Sequence, residues 1–316
     1  MQFKLFILLS LFSTNLFAQK QVQRDTSFTI HSTFLKEKKY RNYIEIARPI
    51  ANDGVVVLKE QGYKKIADRE LTAEVYFPGK KTKGNYPAVI LIHGGGWSSG
   101  DKSQTVPMAI ALANAGYVAV CVEYRLSPEA KYPAAVYDIK TAVRWMRENA
   151  GKFNINKDQI AALGMSAGAQ LATLVGFTNH NPAFEDRIGN PKQSSKIQAV
   201  INIDGTLAFR HPESQEGKAS SLWLDGNYEE NPENWESAAP LNHVTQSSPP
   251  ILFINSAIPR FHAGRDDMIK QLNAFNIYSE VYVLEDTPHP FWFFHPWFAP
   301  TVNYTLNFLA KTFKNQ

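Results

Sequence analysis

Ile160-Ala161-Ala162-Leu163-Gly164-Met165-Ser166-Ala167-Gly168 is the stretch whose reading decides the architecture of this chain. A short apolar run of strand character ends at Gly164, and an apolar segment of helical length resumes from Ala167 to Phe177. A serine held between a strand and a helix sits on a sharp turn that tolerates only small neighbours, which Gly164, Ala167 and Gly168 supply. The helix that follows directs its N-terminus at the serine, and the unpaired backbone N–H groups there stabilise a developing anion. Ser166 is therefore the candidate nucleophile. Taken alone the pentapeptide is also compatible with a tight turn carrying an incidental serine, so its surroundings must decide.

Upstream, the apolar run Tyr86–Ile92 stops at His93-Gly94-Gly95-Gly96-Trp97. Three consecutive glycines let bare backbone approach a substrate, and such N–H donors are worth about 3–4 kcal/mol each in an oxyanion hole. The expected donors are the N–H groups of Gly95, Gly96 and Ala167. A phosphate loop is excluded, because neither a Gly-Lys-Ser/Thr ending nor a dinucleotide glycine spacing is present. His93 reads as a structural histidine bracing this loop.

Further outward the pattern stays regular. Leu71–Phe77, Tyr117–Val122, Ile197–Ile203, Ile251–Ile254 and Glu280–Leu284 read as strands. Ala134–Asn149, Asp266–Phe275 and Thr301–Phe313 read as helices. Apolar strands alternating with helices predict an α/β fold, its mainly parallel sheet covered on both faces. Residues 205–249 are polar and loop-rich.

Tyr124-Arg125-Leu126-Ser127-Pro128-Glu129, Tyr132-Pro133-Ala134-Ala135, Asp138 and Trp145 fill the interval between the glycine loop and Ser166. Together with His93–Trp97 and Gly164–Gly168, this stretch resembles the hormone-sensitive-lipase-like and related acetyl-esterase α/β hydrolases, over roughly residues 70–175. The resemblance implies the α/β-hydrolase fold, a mostly parallel eight-stranded sheet with helices on both faces. It also implies ester hydrolysis by a serine with no cofactor and no metal.

Within that resemblance the order nucleophile, acid, base places the base late in the chain. His289, in Thr287-Pro288-His289-Pro290-Phe291, follows the strand Glu280–Leu284 where the family carries its base; His243, His262 and His295 are the other late histidines. The acid departs from the family pattern. Its usual place, after Ile251–Ile254, reads Asn255-Ser256-Ala257-Ile258-Pro259-Arg260 and holds no carboxylate. Asp204, at the end of the neighbouring strand, is the expected acid, since a triad acid must orient the imidazole from a rigid element. Asp266 and Asp267 are alternatives, although both sit at a helix start where capping explains them. Asp286 stands very near His289 in sequence.

Composition narrows the rest. The chain has 316 residues, 44% hydrophobic and 20% charged, with a net charge of +4 that gives no reason to expect a nucleic-acid partner. Met1–Lys4 is a short positive start, Leu5–Phe12 is apolar, and Ala18 precedes Gln19, which predicts a signal peptide over residues 1–18 and a secreted or periplasmic protein without stable membrane insertion. Residues 19–65 are expected to form an extension packing on the core, and 66–316 the hydrolase domain with an insertion at 205–249. The single cysteine, Cys121, excludes an intrachain disulfide and reads as a buried hydrophobe.

Trp97, Arg260, His262 and Arg265 are the candidate substrate-binding residues. The basic group among them suits a uronic-acid carboxylate or surface salt bridges. Trp223, Tyr228, Trp235, Trp292 and Trp297 suit either sugar stacking or packing of the insertion. A secreted esterase with such loops resembles bacterial carbohydrate esterases that remove acetyl, methyl or feruloyl groups from plant cell-wall polysaccharides. The alternatives are a general short-chain carboxylesterase and a non-catalytic binding protein of the same shape.

Overall fold

Which segments can lie at the centre of a sheet is decided by which lack a polar face, and three segments here lack one. The computed structural model describes Asp25 and residues 27–48, 54–79, 84–186, 188–215 and 217–314. In chain order its elements begin with α1 (Ile30–Glu37), β1 (Glu45–Ile46), β2 (Val55–Ile66), β3 (Arg69–Pro78), β4 (Tyr86–Ile92), α2 (Val106–Asn114), β5 (Val118–Val122), α3 (Ala134–Glu148), α4 (Ala150–Phe153) and β6 (Ile155–Met165). There follow α5 (Ala167–Phe177), β7 (Ala199–Ile203), α6 (Gly217–Trp223), α7 (Pro232–Ser237), β8 (Ile251–Ser256), α8 (Arg265–Ala274), β9 (Ser279–Leu284), β10 (Phe294–His295) and α9 (Phe298–Lys314). The expected signal segment, residues 1–18, lies outside the described residues.

The main sheet has eight strands in the order β2-β3-β5-β4-β6-β7-β8-β9. The β2–β3 and β3–β5 pairs are antiparallel and the others parallel. β5, β7 and β8 are buried along their whole length, so both faces must be apolar, as a parallel sheet under helices on both sides requires. Alternate residues of β4 serve the two layers. Ala88, Ile90 and Ile92 join α3, α5 and α8 in one core, while Val89 and Leu91 join α2 and α9 in the other. Cys121 on β5 belongs to the second core, and burial pushes its thiol up to about 12, so it remains a protonated hydrophobe.

Two boundaries differ from the sequence reading. The sheet starts at Val55, not at residue 66, because β2 is its edge strand and pairs with β3 from Val55↔Pro78 to Ile66↔Arg69. Lys59, Glu60 and Lys65 are exposed, and register shifts between Leu58 and Gln61, where Glu60 has φ 49°, and between Gly62 and Lys64 leave the strand without clean alternation. The stretch 205–249 is not simply a loop. It folds α6, α7 and the 3₁₀ turn Pro240–His243 against the core through the buried Trp223 and Trp235. Residues 27–48 do pack on the body: Phe28, Ile30, Phe34 and Ile44 join the second core.

Candidate active site

Ser166 stands between β6 and α5 with φ 55° and ψ −123°, a strained position that the surroundings hold in place. Its N–H donates to the carbonyl of Ile203 at 2.9 Å. The glycines on either side are required by close approach. A Cβ on Gly164 would lie 1.9 Å from the Gly168 carbonyl oxygen, and one on Gly168 would lie 2.2 Å from that of Ile92. The helix is thereby seated directly on β4 and β6, and its first N–H groups open beside the serine hydroxyl.

That hydroxyl is 2.8 Å from Nε2 of His289, and Nδ1 of the same ring is 2.9 Å from Oδ2 of Asp204. The order of partners fixes the tautomer. Nδ1–H donates to the carboxylate, which leaves the Nε2 lone pair to accept the Ser166 hydroxyl proton. Asp204 follows β7 in the left-handed region, φ 52°, and is 1% exposed. Its N–H donates to the Ile254 carbonyl at 3.1 Å. The carboxylate accepts the Ser256 N–H on Oδ1 at 2.8 Å and the Ser256 hydroxyl on Oδ2 at 2.6 Å. Ser256, the last residue of β8, thus grips the carboxylate of Asp204 offered from the end of the neighbouring strand β7.

The other candidate acids lie elsewhere. Asp266 pairs with Arg265 at 2.8 Å and Asp267 with His211 at 3.2 Å, while Asp286 is exposed beside Arg41. His243 Nε2–H donates to the Ser237 carbonyl at 2.8 Å, away from Ser166. His295 lies in the separate two-stranded sheet paired with Glu45. The imidazole of His289 is clamped between two rings. Phe261 stacks on one face, centroids 3.3 Å apart, and Trp292 meets it edge-on at 5.0 Å. Neither Ser256 nor Phe261 carried a readable signal: Ser256 meets Asp204 only once β7 and β8 lie side by side, and Phe261 reaches His289 only once the turn behind β8 folds back on the site.

The glycine loop lies over the serine. A Cβ on Gly94 would be 3.1 Å from Cβ of Ser166. Gly96 and Ala167 border the small cavity in front of Ser166, whereas the Gly95 carbonyl closes a tight turn by accepting from the N–H groups of Ser98 and Ser99 at 3.2 and 3.0 Å. The loop is braced from behind. The Tyr124 hydroxyl donates to the His93 carbonyl at 2.9 Å, and the two rings stack at 4.5 Å. Ser127 N–H donates to the Trp97 carbonyl at 2.8 Å. Asp138, fully buried on α3, anchors the Tyr124–Ser127 segment by accepting from the N–H and guanidinium of Arg125 and from Lys64 at 2.7 Å.

The cavity holds about 30 Å³ and is lined by Gly96, Trp97, Ser166, Ala167, Asp204, Thr206 and Phe261. Trp97 forms its wall and not a free platform. Its indole N–H donates to Gln170 at 2.9 Å, and its ring stacks on Trp223 at 5.0 Å, with planes 6° apart. Trp223, Trp235, Trp292 and Trp297 are buried, so these indoles pack the insertion and the C-terminal segment and are closed to sugar stacking.

The basic group needs correction. The Arg265 guanidinium is turned to Asn255 at 3.1 Å and Asp266 at 2.8 Å, and it braces the start of α8 instead of facing substrate. His262 is buried, and burial, with Arg265 nearby, lowers its pKa, so it is no standing cation at neutral pH. Arg260 lies over the Phe261 ring, 4.2 Å from the centroid, and so stands next to a residue of the cavity wall. Among the described residues, no three or more His, Cys, Asp or Glu side chains are grouped to hold a metal ion.

Residues 73–272 match the BD-FAE family model. The chain is 30% identical to esterase LipC of Mycobacterium tuberculosis, over 58% of this chain and 45% of that protein. It thus spans about half the length of the curated relatives it matches. A truncated carbohydrate esterase from gut microbiota superposes with TM-score 0.71 at 21% identity, over 84% of this chain and 99% of that one. A thermophilic esterase of Thermogutta terrifontis with propionate bound gives TM-score 0.67 at 24% identity, over 82% of this chain and 94% of that one.

Proposed function

We propose, from the premise that this chain belongs to the BD-FAE family and carries the α/β-hydrolase fold, that it is a serine esterase acting through an acyl-enzyme. The observation that carries this reading is the unbroken chain from the Ser166 hydroxyl through His289 to Asp204, at 2.8 and 2.9 Å. In the reaction His289 Nε2 takes the hydroxyl proton as Ser166 Oγ attacks the ester carbonyl. Asp204 stabilises the imidazolium without taking its proton. The oxyanion is met by the N–H groups of Gly95, Gly96 and Ala167. His289 then returns the proton to the leaving alcohol. A water activated by the same ring releases the acid and restores Ser166.

The substrate in this reading is an acetylated, or otherwise esterified, plant cell-wall polysaccharide met outside the cytoplasm. Three features support it. The cavity before Ser166, walled by Trp97, Thr206 and Phe261, is narrow and suits a small acyl group. The leader-like start Met1–Ala18 suits export. A structural neighbour is itself described as a carbohydrate esterase. The second reading, a short-chain carboxylesterase without a polysaccharide preference, draws support from the propionate-bound neighbour.

Acetate, methanol and ferulate release from xylan and pectin separates these readings. Acetate from xylan exceeding hydrolysis of an isolated acetyl ester supports the first, and equal rates on simple esters alone support the second. A serine-directed phosphonate is expected to label Ser166, and Ser166→Ala to lower kcat by about 10⁴-fold or more. A folded wild-type protein that neither labels nor hydrolyses is a binding protein. Sequencing the N-terminus of protein recovered from periplasm or medium tests export.

A further inference from the structure

Asp25 and residues 27–47 lie outside the main sheet yet touch both loops that surround Ser166. On one side, β1 pairs antiparallel with β10, Glu45↔His295 and Ile46↔Phe294, and the Ala47 N–H donates to the Phe293 carbonyl at 2.8 Å. Phe28 and Phe34 pack on Phe293 and Phe294, with centroids 6.2 and 6.1 Å apart. Arg41 reaches the other flank of the same loop, its Nε donating to the Asp286 carbonyl at 3.4 Å. His289 lies between these two attachments.

The start of the segment meets the glycine loop. Asp25 forms a parallel bridge with Ser99, and the Phe28 carbonyl accepts from the Gln104 side chain at 3.0 Å. Ser99 in turn donates both its N–H and its hydroxyl to the Gly95 carbonyl, each at 3.0 Å.

We propose that Asp25 and residues 27–47 act as a strap that positions the His289 loop and the glycine loop for the reaction. The proposal rests on the reading of Ser166 and His289 given above. The need for it is physical. Between β9 and α9 the chain carrying His289 has only the 3₁₀ turn Phe291–Phe293 and the two residues of β10 as regular structure. A general base must stay within about 0.5 Å of its productive place. A two-stranded ribbon is marginal by itself, so β10 holds its place only while β1 and the Phe28 and Phe34 rings back it. The strap residues are positioning residues: none of those described lines the cavity before Ser166.

The test uses the full-length chain. Ala47→Pro removes the N–H donor to Phe293, and Arg41→Ala frees the Asp286 flank. Each is expected to lower kcat on an acetyl ester by about 10–100-fold, as a small misplacement of a catalytic group does, with KM changed less than about twofold. Adding Glu45→Cys and His295→Cys to the Ala47→Pro chain allows a disulfide across the paired positions, whose Cα spacing in an antiparallel pair, about 5.5 Å, suits one. Buried Cys121 does not compete. Oxidation is expected to restore kcat and reduction to abolish it again, a reversal that general destabilisation does not produce.

Folded single variants with wild-type kcat, while wild type hydrolyses and labels at Ser166, overturn the strap alone. An inert wild type overturns the esterase reading and the strap with it. Should Ala47→Pro not fold, Arg41→Ala decides by the same kcat and KM comparison.

Discussion

At the scale of single residues, Asp204 and His289, the proposed acid and base, are held by different means. Asp204 is locked by the Ser256 N–H and hydroxyl at 2.8 and 2.6 Å, while His289 is held by rings on two sides. Asp204→Asn keeps the shape but offers an amide where a carboxylate accepted the Nδ1 proton. The imidazole then favours the other tautomer, with Nε2 protonated and useless as a base. The expected loss in kcat is on the order of 10⁴-fold, with the fold intact by circular dichroism. Ser256→Ala removes one charge-assisted hydrogen bond, worth about 1.5–3 kcal/mol, and is expected to lower kcat about 10-fold in the same acetyl-ester assay. If Ser256→Ala is silent, the main-chain N–H of residue 256 and the Asp204 backbone suffice to hold the carboxylate. The sequence made Ser166 legible because its turn demands glycines in a short pattern. Ser256 was invisible, since a serine becomes a partner of Asp204 only once β7 and β8 lie side by side.

At the scale of elements, the seat of α5 on the sheet is the tightest joint. Every residue of α5 is buried, and Gly168 lets the helix approach the Ile92 and His93 carbonyls where a Cβ would come within 2.2 and 2.4 Å. Gly168→Ala is therefore expected to destabilise the protein by about 3 kcal/mol and to lift Ala167 away from the anion it faces. Urea unfolding with an unchanged m-value checks the first effect, and a fall in kcat exceeding that in phosphonate labelling checks the second. The elements legible beforehand were those whose burial writes a pattern: β4, β5 and β7 as apolar runs, α3 and α5 as periodic or wholly apolar stretches. β2 was not, because an edge strand answers to solvent on one side and its bulge breaks the period. α6 and α7 were hidden for a different reason. They are too short to show a helical period, and two indoles, Trp223 and Trp235, do most of their burying.

At the scale of the whole molecule, buried titratable groups tie stability to pH. Burial lowers the pKa of His243 below its ordinary 6.5, only partly opposed by the hydrogen bond to Ser237. Burial and the nearby Arg265 lower that of His262, against the opposite pull of Asp204, Glu213 and Asp266. The sign follows from which state takes up protons first. In the unfolded chain both imidazoles protonate as pH falls past 6.5, while in the native protein they stay neutral, so the unfolded state binds more protons and stability drops. The contribution is intact above pH 6.5 and is lost progressively below it, down to the depressed native values. Two carboxylates are lowered against the pull of burial, Asp186 by its hydrogen bond to Lys64 and Glu280 by those from Tyr278, Lys311 and Tyr282; they start from 3.8 and 4.5 and take no part in that window. Tm measured from pH 8 to pH 5 at constant ionic strength is therefore expected to hold level to about 6.5 and then fall. His243→Gln keeps a donor for the Ser237 carbonyl and, combined with His262→Gln, is expected to flatten the fall. A double variant whose Tm drops in parallel with wild type would move the proton uptake to other groups and sink the assignment.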